Sequence, residues 1–168
     1  MKQKKLFVFV TILAVIWFGF IFYMSSQTAA DSGQMSKSVT KGVVLTGEKA
    51  GVIQAGTVNS ETALKKYHVI IRNLAHIGMY FLFACILFSS FWAFGINKKK
   101  SVLLSFAIGF FVSIIDEVNQ MHFAGRNSGG VISDAIDDIY RDTFGICSAL
   151  LIFVIIRVMI ELRDKNRT

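Results

Sequence analysis

Proline is absent from the 168 residues, and cysteine occurs only twice. Without proline, no helix need be kinked or broken by a missing backbone donor. The two cysteines, Cys85 and Cys147, lie inside apolar runs, where a free thiol behaves as a small hydrophobe. That placement argues against a disulfide framework or a cysteine redox pair. Charge is sparse as well, at 17% of residues, and none falls between Leu6 and Met24. The net charge of +7 would point a soluble protein toward nucleic acid, yet no basic stretch is interleaved with aromatics on one face, so no nucleic-acid partner is expected. Internal repeats, low-complexity tracts and linkers between folded units are also missing, which leaves residues 1–168 as a single domain.

What the sequence has is apolar surface. With 54% hydrophobic residues and sixteen phenylalanines it is too apolar for a typical soluble fold, and the mean hydropathy is +0.56. A membrane helix needs about twenty apolar residues to cross a core of about 30 Å. Segments at about 6–24, 69–96, 101–121 and 143–160 meet that requirement, and they predict an all-α membrane protein with four transmembrane helices. Three lysines before the first span and the small Thr28 and Ala30 after it resemble a secretory signal, but the apolar stretch Leu6–Met24 is longer than the usual signal core. It is expected to remain as an anchor.

Lysine and arginine near the spans set the expected orientation. With the N-terminus inside, the inner segments carry Lys2, Lys4, Lys5, Lys98, Lys99, Lys100, Arg157, Arg163, Lys165 and Arg167 against only Glu161 and Asp164. All remaining charges, slightly acidic in sum, fall on the other side. Both termini and the "INKKK" turn are therefore expected in the cytoplasm, with a long extracytoplasmic loop over residues 25–68. That loop is rich in Ser, Thr, Gly and Lys and is expected to be exposed and partly ordered. From Ser60 onward, Ala63, Leu64, Tyr67, Ile70, Ile71 and Leu74 recur at helical spacing, predicting an amphipathic lead-in to the second span with Asn59 or Ser60 as its N-cap.

Polar residues break into three spans at the same end. In "IIRNLAHIGMY", Arg72, His76 and Tyr80 are four apart and stack on one helix face. Ser113, Asp116, Glu117 and Gln120 end the third span, and His122 and Arg126 follow, with Arg126 in a glycine-rich turn from which it could fold back over the carboxylates. "SDAIDDIYRDTFG" then sets Asp134, Asp138 and Asp142 four apart, with Gly145 placed to admit a neighbouring helix. Each element taken alone has a bland explanation: a snorkelling arginine, an aromatic belt, a solvated helix end. Three such stripes at one depth are better explained by a shared site, because each lipid-exposed charge would cost about 2.5 to 3.5 kcal/mol.

"SSQ" after the first span, "RNLAHIGMY", "DEVNQMHFAGR" and "DIYRDTFG", in that order, resemble the VanZ-like membrane proteins. The segment "NSGGVISDAID" is longer here than in the family pattern, so Asp134 and Asp138 both remain candidates for the family aspartate, with "DIYRDTFG" favouring Asp138. The resemblance implies a bacterial cell-membrane protein of a family that includes one member associated with resistance to teicoplanin and related lipoglycopeptides. It implies no reaction.

The expected ligand-binding set is Arg72, His76, Tyr80, Asp116, Glu117, Gln120, Arg126, Asp138 and Asp142. The expected function is non-enzymatic binding of a membrane lipid, a lipid-linked cell-wall precursor or a lipoglycopeptide antibiotic in an outward-facing cavity. No cofactor and no metal are expected, since carboxylates paired with arginines need neither. The alternatives are an enzyme acting on an envelope lipid, with His76 as base or the carboxylates as metal ligands, and a small proton- or ion-coupled transporter. The oligomeric state is not encoded in any of these patterns.

Overall fold

A computed structural model describes residues 2–123 and 132–165. Its elements in order are α1 (Lys2–Ser25), α2 (Ala29–Lys49), a single 3-10 turn at Thr57–Asn59, α3 (Glu61–Phe94), α4 (Lys98–Gln120) and α5 (Ile132–Lys165). Strands are absent among the described residues. The stretches Lys4–Ser25, Glu61–Phe94, Lys98–Gln120 and Asp134–Ile160 are long and apolar enough to cross a membrane. Four spans were expected, and the described residues hold four helices of that length and apolarity.

α3 is the central helix and touches each of the other four. It begins on Ser60, whose side chain accepts a hydrogen bond from the Ala63 amide, and runs unbroken through the lead-in into the span. It ends on Gly95, where φ of +94° is a conformation open to glycine. Asn97 then caps α4 by accepting from the Lys100 amide at 2.9 Å. Tyr80, Phe83, Ala84 and Leu87 of α3 pack with Ile146, Ala149 and Leu150 of α5, Val112 of α4 and Ile21 of α1.

Two glycines bring helices close. A Cβ at Gly145 would overlap the carbonyl oxygen of Ile77 and stand 3.1 Å from the Phe81 nitrogen, so α5 lies directly on the backbone of α3. Gly109 of α4 similarly admits Ile146. Lower in the bundle, Phe88 and Phe153 stack with centroids 4.3 Å apart. The outer faces remain apolar: Phe9 is 65% exposed and Phe144 63%, as lipid-facing side chains must be.

The expected loop over 25–68 needs correction. Its first half is a 21-residue helix, α2, capped by Thr28. Ser, Thr and Gly are poor helix formers, which is why propensity pointed to a loop. Packing overrides it: Thr40 and Val44 are buried, and Ser36 and Thr40 both reach His68 Nδ1 of α3 at 3.4 Å. Glu48 then accepts a hydrogen bond from the Val58 amide at 2.7 Å, tying the end of α2 to the turn before α3. α5 also begins earlier than the expected fourth span, because its acidic segment is already helical from Ile132.

Candidate functional site

The face that α4 turns toward α3 and α5 carries Ser113, Asp116, Glu117 and Gln120, all at most 5% exposed. Their i, i+3 and i+4 spacing places them on adjoining turns, and the neighbouring helices cover them. Gln120 Nε2 donates to Glu117 Oε1 at 2.9 Å and to Asp116 Oδ2 at 3.3 Å. From α3, the Tyr80 hydroxyl donates to the same Asp116 oxygen at 3.2 Å. Asp116 Oδ1 is buried and has no hydrogen-bond partner among the described residues.

Asp142 is completely buried on α5 and joins the other two helices. Ser113 Oγ donates to its Oδ2 at 2.8 Å, and His76 Nδ1 lies 3.2 Å from its Oδ1. A carboxylate neighbour fixes the hydrogen on Nδ1 and orients the ring. The close approach at Gly145 permits this bond, because Asp142 and Gly145 are three residues apart on α5 and Ile77 adjoins His76 on α3.

Asp138, one turn earlier, is held differently. Arg72 Nη2 lies 3.7 Å from its Oδ2, and Arg141 Nη1 donates to its Oδ1. Asp138 is 7% exposed, whereas Asp134 is exposed at the start of α5. Of the two candidate aspartates it is therefore Asp138 that meets Arg72.

A cavity of about 570 Å³ opens above this network. Arg72, His76, Asp116, Gln120, Asp138 and Arg141 reach its polar wall, while Ile21, Met24, Met35, Val39 and Met79 form an apolar one. Tyr80, Glu117 and Asp142 do not line it and lie behind the polar wall. Asp116, Glu117 and Asp142 each bring one carboxylate oxygen within 4.8 Å of the others.

Eight of the nine residues singled out from the sequence thus fall in one connected region. The ninth, Arg126, lies outside the described residues, as does its expected contact with the carboxylates. The arrangement adds five residues that the sequence reading left out of the site. Ser113 was recognised as sharing the face, but not as Asp142's partner. Arg141 stands three residues after Asp138, a spacing that signals an intrahelical ion pair. Ser25 donates to the Asp116 carbonyl at 3.1 Å, and Asn119 Nδ2 reaches Ser25 and Ser26 at 2.9 and 3.1 Å, so the two serines of "SSQ" clamp the end of α4. No spacing within one helix could have revealed that clamp.

Four membrane-length helices enclosing a buried, hydrogen-bonded carboxylate network at one end define a multi-pass membrane protein with an internal polar site. A model of the VanZ/LLP1 family matches residues 9–157, from the first helix into the last, and the chain belongs to that family. No curated protein and no solved structure matches it.

Proposed function

We propose that the protein holds the polar head of a cell-envelope amphiphile, a lipid or lipid-linked cell-wall precursor, in the cavity between α2 and the ends of α1, α3, α4 and α5. The observation that carries this reading is the double character of the cavity wall. Arginine, histidine, glutamine and carboxylate groups suit hydroxyl, amide and phosphate groups, and the facing methionine and aliphatic side chains suit the start of an acyl or prenyl chain. Arg72, which lines the cavity, is half-exposed and positioned to meet an anionic group. A lipoglycopeptide has the same combination of sugars, amides and acyl chain, so teicoplanin is a second ligand of this class, and its binding would link the cavity to resistance. Positive residues on the opposite end turn the opening toward the outer face of a bacterial cell membrane.

Native mass spectrometry of the purified protein with a panel of envelope lipids, a lipid-linked precursor and teicoplanin tests the proposal. A retained ligand, lost with Arg72→Ala, supports it; no adduct from any member of the panel refutes it. The orientation of His76 by Asp142 favours a second reading, in which His76 acts as a general base on the bound lipid. Under that reading the ligand's mass changes on incubation, whereas simple binding leaves it intact.

A further inference from the structure

Asp116, Glu117 and Asp142 are 3%, 3% and 0% exposed, yet no lysine or arginine pairs with any of them among the described residues. The nearby guanidiniums of Arg72 and Arg141 are both engaged with Asp138. Among the described residues His76 is the group that brings positive charge nearest the three, and it makes direct contact with Asp142. Among the described residues, then, arginines meet Asp138 and leave the trio to other partners. Neutral donors hold the trio together: Gln120 bridges Asp116 and Glu117, Tyr80 holds Asp116, and Ser113 holds Asp142. Converging carboxylates that repel one another in a buried site are relieved by bound protons or by a compensating charge.

A second observation points to what supplies it. Among the described residues, Asp116 Oδ1 is a buried acceptor with no donor. It belongs to the member of the trio that also lines the cavity. One oxygen from each carboxylate lies within 4.8 Å of the others, a separation matched by opposite ligands about 2.4 Å from a common cation. We propose that Asp116, Glu117 and Asp142 form a binding site for one divalent cation at the base of the cavity.

The donor set names the class of ion. Three carboxylate oxygens without cysteine are hard ligands suited to Ca2+, Mn2+ or Mg2+. A dication leaves one net negative charge on the trio, and His76 beside Asp142 is placed to offset it. Tyr80, Gln120, Ser113 and His76 are then the outer partners that orient the ligating carboxylates, the role such groups play around protein-bound metals. The site stands whatever ligand occupies the cavity.

The test uses the full-length protein in detergent, stripped with a chelator and titrated with Mn2+ while free Mn2+ is followed by electron paramagnetic resonance; Ca2+ and Mg2+ are then added as competitors. Wild type is expected to take up one Mn2+ per chain and to unfold at higher temperature when loaded. Glu117→Gln and Asp116→Asn should lose the stoichiometric ion, Tyr80→Phe should weaken its binding by about 10- to 100-fold, and Asp31→Asn should bind as wild type does. Absence of saturable uptake by wild type overturns the proposal outright and needs no variant to fold. Undiminished uptake by Glu117→Gln that elutes and unfolds as wild type does overturns it equally. Because no lipid enters this titration, its failure is separable from failure of the lipid-binding reading.

Discussion

Asp138 stands between two guanidiniums that differ in their exposure to water. The Arg72 side chain is 56% exposed and 3.7 Å away, whereas that of Arg141 is 32% exposed and donates directly to Oδ1. Exposed ion pairs contribute about 0 to 1 kcal/mol, while a hydrogen bond to a charged group in a more sheltered site contributes about 1.5 to 3 kcal/mol. Arg141→Ala is accordingly expected to lower stability by about 1.5 to 3 kcal/mol in equilibrium unfolding from mixed micelles, and Arg72→Ala by less than about 1 kcal/mol. Arg72 should instead register in ligand binding. An equal and large stability loss for both substitutions would show that the two arginines form one buried clasp. At this scale the sequence exposed the participants better than their partners. Periodicity placed His76 and Tyr80 on one face and Glu117 and Gln120 on another, because i, i+3 and i+4 neighbours follow from helix geometry alone. Which acid each would meet depends on how three helices rotate against one another, and nothing local encodes that. Asp142 thus pairs with His76 and Ser113, although its sequence neighbour Arg141 turns to Asp138.

Glycine decides how closely those helices approach. The space beside Gly145 is occupied by the backbone of α3 at Ile77 and Phe81, which cannot move without displacing the helix. Beside Gly109 the nearest atom is Cδ1 of Ile146, 3.0 Å from a built Cβ and the free end of a flexible side chain. Gly19 has nothing within 4 Å. Overpacking a fitted interface costs about 1 to 3 kcal/mol, and more where no side chain can yield. Gly145→Ala is therefore expected to cost upward of about 3 kcal/mol and to separate His76 from Asp142; Gly109→Ala should cost about 1 kcal/mol, and Gly19→Ala should be neutral or mildly stabilising. Thermal unfolding of the three variants in one detergent checks the order, and a Gly145→Ala protein as stable as Gly109→Ala would remove the close crossing from the account. The spans and the Gly145 contact were visible in the sequence because apolar runs and a small residue one step from a polar stripe are strong local signals. α2 was not visible. Its stabilising contacts, Thr40, Val44 and Ser36 against the start of α3, are tertiary, and its composition favours a loop.

The depth of the site in the whole molecule follows from helix rise. His76 precedes Phe94, the last residue of α3, by eighteen residues, and Asp116 follows Lys98, the first of α4, by the same number. Both therefore stand about 27 Å from the lysine-rich turn at 1.5 Å per residue. In a hydrocarbon core of about 30 Å they lie near the far edge, where water and lipid headgroups begin. Residues of α2 and of the acidic start of α5 line the cavity at that end of the bundle. This geometry makes orientation decisive for function, since a cavity at one membrane edge samples only one leaflet. Lys98, Lys99 and Lys100 at the opposite edge predict a cytoplasmic turn and an external cavity. Single cysteines at the exposed positions Lys49 and Lys99, in a background with Cys85 and Cys147 replaced by alanine, test that directly. Lys49→Cys should react with a membrane-impermeant thiol reagent on intact cells, and Lys99→Cys only after permeabilisation. Labelling of Lys99→Cys on intact cells, with Lys49→Cys silent, would turn the cavity toward the cytoplasm and remove external precursors and antibiotics as its ligands.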